Sequence, residues 1–187
     1  VYRGAGKLDV KTTPPHEIPE ESTDRYLPTG EGAEMLNAIM EYSRELFEEH
    51  EINLVRRDNG LNPATQVWFW GQGHAPNMPS FQNKYGIGKG CMITSVDLLR
   101  GLGTLLGWQN REVQGMTSFH DTNYKGQGEA TATALDEYDI VVSHIEAPDE
   151  ASHQADIRTK IASIEAIDKH IVAPVLEKLK SFDQWRI

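Results

Sequence analysis

Tyr138-Asp139-Ile140-Val141-Val142-Ser143-His144 is the most strand-like run in the chain. Its centre is three consecutive β-branched residues, with no polar alternation. A strand buried on both faces reads this way, as in a parallel sheet covered by helices. Behind it comes a dense polar group: His144, Glu146, Asp149, Glu150, His153 and Asp156. Upstream, Val67-Trp68-Phe69-Trp70 and Cys91-Met92-Ile93-Thr94 read as further buried strands, and Arg111-Glu112-Val113 as a possible third. Helical patterns separate them. Strands alternating with helices predict an α/β domain with a mainly parallel sheet.

The helices are marked by apolar spacing. Leu36, Ile39, Met40, Leu46 and Phe47 predict a helix over 31–50. Ser95 is a candidate cap for a helix running to about Leu106, and a further helix is predicted over 124–135. The last helix is expected over 155–180. Ile157, Ile161, Ile164, Ile167, Ile171, Val175 and Leu179 form its apolar stripe, and Pro174 should kink or split it. Residues 1–30, rich in Pro, Thr, Glu and Gly, read as irregular chain.

Composition narrows the function. With 18 basic and 28 acidic side chains among 187 residues, the formal charge is 18 − 28 = −10. Such a chain is repelled by phosphate backbones and by anionic membrane surfaces, which argues against nucleic-acid and membrane partners. The single cysteine, Cys91, excludes a disulfide framework and fits a reducing, cytoplasmic setting. No apolar run has the length of a membrane span, and Val1-Tyr2-Arg3-Gly4 lacks a leader's apolar region. The chain starts on Val and ends on Trp185-Arg186-Ile187, like a strand cut short. It reads as a piece of a larger protein.

Ligands in open α/β sheets sit beyond the carboxyl ends of the strands. The polar group after Ser143 is therefore in the right place. Asp149 and His153 are four apart. On a helix they share one face and can grip one divalent ion, and carboxylate with imidazole suits Mn or Zn. The competing reading is a solvated acidic turn with incidental histidines. Gly71-Gln72-Gly73 could cradle phosphate but lacks a dinucleotide or P-loop pattern, so a tight turn is the simpler reading. Arg56 and Arg57 are a candidate anion pair or an ordinary surface pair. His50 is expected to favour a helix dipole. Cys91, Trp68 and Trp70 are expected in the core.

His144-Ile145-Glu146-Ala147-Pro148-Asp149-Glu150-Ala151-Ser152-His153 resembles the H-x-E-A-P-D-E-x-x-H signature of archaeal-type cofactor-independent phosphoglycerate mutases, which belong to the alkaline phosphatase superfamily. Pro63-Ala64 through Trp68-Phe69-Trp70-Gly71-Gln72-Gly73 is similar to that family's P-A-x-x-x-W-x-W-G-x-G run. Ile93 to Gly103 and Asp121-Thr122-Asn123-Tyr124 resemble further family stretches in the same order, and Arg3-Gly4 with Pro15-His16 resembles its R-G…P-H pair.

The resemblance implies an alkaline phosphatase-like α/β/α sandwich with a mainly parallel sheet, present in part, plus the tail of an inserted domain. Residues 1–50 would be that tail, and 51–187 much of the second half of the metal-binding domain. It implies Asp149 and His153 as ligands of the first of two divalent ions. Mn2+ is expected first, with Zn2+, Co2+ or Mg2+ as alternatives and no organic cofactor. It also implies Arg57, Arg3 and His16 as substrate-binding groups for a small phosphorylated substrate. The activity implied is interconversion of 3- and 2-phosphoglycerate through a phosphoserine whose serine lies outside this chain, so the chain by itself is expected to be inactive. Departures from the family pattern include Pro14 before Pro15-His16, Met116-Thr117-Ser118, and Gln127 in place of the family's usual lysine. They leave a related phosphatase or a homoserine kinase-like phosphotransferase as alternatives.

Overall fold

The computed structural model describes residues 9–74 and 76–187, which form two compact units, one within Val1–Pro76 and one within Asn77–Ile187. The first unit runs past residue 50, and side chains from Asn53 to Gln72 hydrogen-bond within it.

In the first unit, residues expected to be irregular form a two-stranded antiparallel ribbon. β1 (Asp9–Lys11) pairs with β2 (Thr29–Glu31), Val10 opposite Gly30. Gly30 has φ +102, and a Cβ there would lie 2.3 Å from the Asp9 carbonyl oxygen, so this crossing requires glycine. α1 (Ala33–Glu48) comes next, burying Ala33, Leu36, Met40 and Ser43 on one stripe. Val10, Ala33, Leu36 and Phe69 pack together. α2 (Glu51–Asp58) lies outside the expected elements. His50 caps it, with Nδ1 accepting from the Ile52 amide at 3.3 Å.

Val67–Trp70 forms no strand and joins no sheet, contrary to the strand expected there. Side chains hold it instead. Buried Asn53 donates to the Phe47 and Ala64 carbonyls, both at 2.7 Å, and accepts from the Ala64 amide at 2.9 Å. The Val67 amide donates to Ser43 Oγ at 2.9 Å, and Trp68 Nε1 to the Thr13 carbonyl at 2.8 Å. Gln72, within the glycine turn, donates to the Val10 carbonyl at 2.7 Å, so this turn is tied to β1. Trp70 is half exposed, not core.

In the second unit, a short α3 (Phe81–Tyr85) precedes β3 (Gly90–Ile93), α4 (Asp97–Leu105), β4 (Gln109–Asn110), α5 (Tyr124–Ala134) and β5 (Ile140–Ser143). The sheet order is β4-β3-β5, all parallel, with Cys91 opposite both Gln109 and Val141. The third strand lies slightly before the expected Arg111–Val113. β3 is buried at every position. Its alternation divides the faces: Cys91 and Ile93 pack with Ala130 and Ala134 of α5, while Met92 lies against Gly103 of α4. Helices therefore cover both sides, as in an α/β/α sandwich. Burial pushes the Cys91 thiol up, as expected for an inert core cysteine. Ser95 does not cap α4. Val96 occupies that position, and its amide donates to Thr94 Oγ1 at 3.1 Å.

After β5 come α6 (Ala147–His153), α7 (Ile157–Ile167) and α8 (Ala173–Leu179). α7 and α8 are joined without a break by a π-helical turn over Asp168–Val172. Pro174 has no N–H for the His170 carbonyl one turn back, and the wider turn accommodates the ring that was expected to kink the helix. The π turn holds one residue more than an α turn, so the residues after it lie about 100° behind their places on an unbroken α-helix. This splits the apolar stripe. Ile171, Val175 and Leu179 are buried against Tyr124, Leu135 and Ile145, whereas Ile157, Ile161 and Ile164 are exposed. The π turn also abuts α5, where a Cβ on Gly128 would lie 1.9 Å from the His170 carbonyl oxygen. Among the described residues no helix is long and apolar enough to cross a membrane.

Gly128→Ala should lower stability by about 1–3 kcal/mol, since backbone must move to admit the methyl. Gly101→Ala on α4, where a Cβ meets nothing within 4 Å, should be neutral or raise it by about 0.5–1 kcal/mol. Urea unfolding of the two variants checks the pair.

Candidate functional site

The parallel register sets the site. Ile93 pairs with Ser143, so Thr94 and His144 leave the sheet side by side. The His144 amide donates to the Ile93 carbonyl at 2.9 Å, and the side chain of buried Gln127 donates to the His144 carbonyl at 2.9 Å. His144 Nδ1 meets Thr94 Oγ1 at 3.2 Å, and its Nε2 meets a Glu146 carboxylate oxygen at 3.1 Å. Beside Thr94, the Ser95 and Ser118 hydroxyls share a hydrogen bond of 3.0 Å.

Glu146 starts the next helix. Its carbonyl accepts from the Asp149 amide at 2.8 Å and the Glu150 amide at 3.2 Å, and Pro148 fits in the first turn, where an amide hydrogen is not needed. The backbone is therefore helical where the i, i+4 argument requires it. Asp149 Oδ2 and His153 Nε2 are 3.1 Å apart, with both side chains mostly exposed. Two donors at about 2.1 Å from one ion and near a right angle are separated by about 3 Å, so this pair fits as two adjacent ligands. No third His, Cys, Asp or Glu joins them among the described residues.

Beyond α6, Ala155 adopts φ 54 and turns the chain into α7. Asp156 caps α7, accepting from the Thr159 amide at 3.0 Å and its hydroxyl at 2.7 Å. The Thr159 amide, then its hydroxyl, hold the Asp156 carboxyl below the ordinary carboxylate range, and the charge of His120 acts in the same direction.

The other expected site residues lie in the first unit. Arg57 is in the last turn of α2, its Nη1 donating to the Glu48 carbonyl at 2.6 Å. Arg56 donates to the Asn62 carbonyl at 2.7 Å. His16 sits in a single 3-10 turn, edge-on to the Trp70 ring at 5.3 Å. Arg3 lies outside the described residues. The site residues expected from sequence did not include Thr94, read as the end of a strand, Ser95, read as a helix cap, or Ser118, read as a departure from the family pattern. The only signal for Thr94 was its position immediately after a strand that pairs with β5. Nothing local marked the Ser95–Ser118 pair, which joins residues 23 apart.

The sequence pattern of the metalloenzyme superfamily matches residues 20–187. The 2,3-bisphosphoglycerate-independent phosphoglycerate mutase of Methanothrix thermoacetophila is 46% identical over 96% of this chain and 46% of its own length. A probable enzyme of the same name from Geobacter sulfurreducens is 40% identical over 97% of this chain and 45% of its own length. The chain thus spans less than half the length of these curated relatives. Among solved structures, the PH0037 protein from Pyrococcus horikoshii superposes with a TM-score of 0.63 at 25% identity, over 78% of this chain and 38% of that one.

Because the folded Asp156 carboxyl titrates lower than an unfolded one, its cap contributes fully above the ordinary carboxylate range and is lost as pH falls through the folded value. Asp156→Ala should therefore lower the melting temperature at neutral pH, and the gap to wild type should narrow below about pH 4. Thermal melts across that range check it.

Proposed function

The chain belongs to the metalloenzyme superfamily, and from that membership we propose that it is part of an enzyme interconverting 3-phosphoglycerate and 2-phosphoglycerate. The carrying observation is the Asp149–His153 pair, 3.1 Å apart on one exposed helix face beyond the carboxyl end of β5. Likeness to enzymes of that name over nearly the whole chain supports the reading. The phosphoryl group passes through a phosphoserine on a serine outside this chain. Residues 1–50 are the tail of an inserted domain and 51–187 a portion of the metal-binding domain. The setting is cytoplasmic.

Asp149 and His153 hold the first of two divalent ions, Mn2+ by preference, with the remaining ligands supplied from outside this chain. A divalent ion there makes a hydroxyl a better nucleophile and offsets charge on the transferring phosphoryl group. Asp149 contributes negative charge and His153 a neutral nitrogen, a hard and borderline donor set that suits Mn2+. Helix α6 holds the two donors on one face, so little ordering remains when they ligate. Arg57, Arg3 and His16 bind the anionic substrate. Arg57 presents a planar fork to carboxylate or phosphate while one nitrogen stays anchored on the Glu48 carbonyl.

In the full-length enzyme, chelation should abolish phosphoglycerate interconversion and Mn2+ should restore it. His153→Ala should raise the Mn2+ concentration for half-maximal activity by more than about tenfold, the scale of losing even an outer partner. Activity indifferent to chelators overturns the metal reading. Phosphorylation of homoserine by ATP, with phosphoglycerate ignored, overturns the mutase reading and leaves the metal pair standing. Arg57→Lys should lower kcat/KM for phosphoglycerate, because an ammonium cannot reproduce the fork; an unchanged value removes Arg57 from the substrate site.

A further inference from the structure

We propose that Thr94, His144 and Glu146 form a positioning relay that anchors the first turn of α6 to the sheet and thereby aims Asp149 and His153. The inference rests on the metal reading of that pair.

The relay is directional. Thr94, only 2% exposed, accepts from the Val96 amide at 3.1 Å through its hydroxyl oxygen, leaving the hydroxyl proton free to donate. On the far side of the ring, the Glu146 carboxylate can only accept. A neutral imidazole between them satisfies both neighbours in one arrangement. Its proton sits on Nε2, 3.1 Å from the carboxylate, and its Nδ1 lone pair receives the Thr94 hydroxyl at 3.2 Å. With the proton on Nδ1, two lone pairs would face each other across the Glu146 contact. The carboxylate at the start of α6 therefore selects the tautomer of His144, and the hydroxyl at the end of β3 fills the remaining lone pair.

His144 is a firm base for this task. Its amide is held by Ile93 and its carbonyl by Gln127, which is 1% exposed. What the relay holds is Glu146, whose backbone carbonyl receives both the Asp149 and the Glu150 amides. Fixing the Glu146 side chain fixes that carbonyl, and the carbonyl fixes the rotation of α6 about its axis. Asp149 lies in that same turn and His153 one turn further on. Buried Ala147 and Ala151 seat the helix, and Lys160 donates to its Pro148 carbonyl; the Glu146 contact adds a polar restraint at the first turn, and outer partners of this kind set ligand orientation at metal sites.

The test uses the full-length protein labelled with 15N-histidine. Imidazole tautomers are read from long-range 1H–15N correlations without metal, His144 being assigned by its loss in His144→Gln. Mn2+ dissociation constants are measured separately by titration. Wild type should show His144 protonated on Nε2. Thr94→Val, which keeps the shape and removes the hydroxyl, should leave the proton on Nε2 and weaken Mn2+ about tenfold. Thr94→Ser should restore the Mn2+ affinity. Glu146→Ala should give a mixture of tautomers and weaken Mn2+ similarly, and the double variant with Thr94→Val should be no worse than either alone, since both break one chain of contacts.

Unchanged Mn2+ affinity in Thr94→Val, equal weakening in Thr94→Val and Thr94→Ser, or additive losses in the double variant each overturn the relay. All three leave the metal reading intact. Absence of Mn2+ binding by wild type overturns both. A failed phosphoglycerate assay with intact Mn2+ binding overturns neither the relay nor the ligand pair.

Discussion

The parallel pairing of β3 with β5 is the constraint on which the second unit depends. Its register places Ile93 opposite Ser143, so the first residues beyond the ladder, Thr94 and His144, come off the sheet in contact. A slip of one residue would exchange the faces of β5 and lose that contact at once. The pairing is secured from both ends. At the amino end, Gly90 has no side chain, so the Trp108 indole lies where a Cβ would be, 2.3 Å from its position. At the carboxyl end, Gln127 reaches from α5 to the Ser143 hydroxyl and the His144 carbonyl. The polar residues of the candidate site are thus outgrowths of the apolar ladder, and their geometry is inherited from its packing.

The first unit is held differently. The long segment after α2 has no strand partner and is secured by side chains: Asn53 and Ser43 from the helices, and Trp68 and Gln72 reaching back to Thr13 and Val10. Each of these polar side chains replaces a ladder bond, and buried polar groups that find partners cost little. Such an arrangement is set by a few particular residues, whereas a ladder tolerates many.

That contrast explains what could be read from the sequence. The continuous apolar runs Cys91–Ile93, buried, and Ile140–Val142, half-buried, announced themselves as strands, and apolar spacing announced α1, α4, α5 and the long final helix. Val67–Trp70 has the same local character as those strands. It joins no sheet because side chains distant in sequence, Ser43 on its amide and Thr13 on its indole, hold it instead. The short helices α2 and α3 are too brief for periodicity to mark, and the β1–β2 ribbon depends on a glycine crossing that a long run of turns and bends separates from its partner strand. At the candidate site, the i, i+4 spacing of Asp149 and His153 was visible as soon as a helix was granted. The contribution of Thr94 was not visible, because it exists only once two strands far apart in sequence are aligned.

The π turn before Pro174 also has a meaning for how this chain can change over generations. It acts as a one-residue frame shift within a continuous helix, so the two halves present different faces although their apolar positions keep to one repeat. Loss of a single codon between Asp168 and Val172 would turn the wide turn into an ordinary α turn and leave both halves facing as they do, because the π turn already takes up the extra residue. Loss of a codon elsewhere in the same helix would instead rotate everything beyond it by about 100°. The turn is thus the place where this helix tolerates a change of length. The cost there is local: Gly128, fitted to the His170 carbonyl that the wide turn displaces, would lose the partner it was matched to.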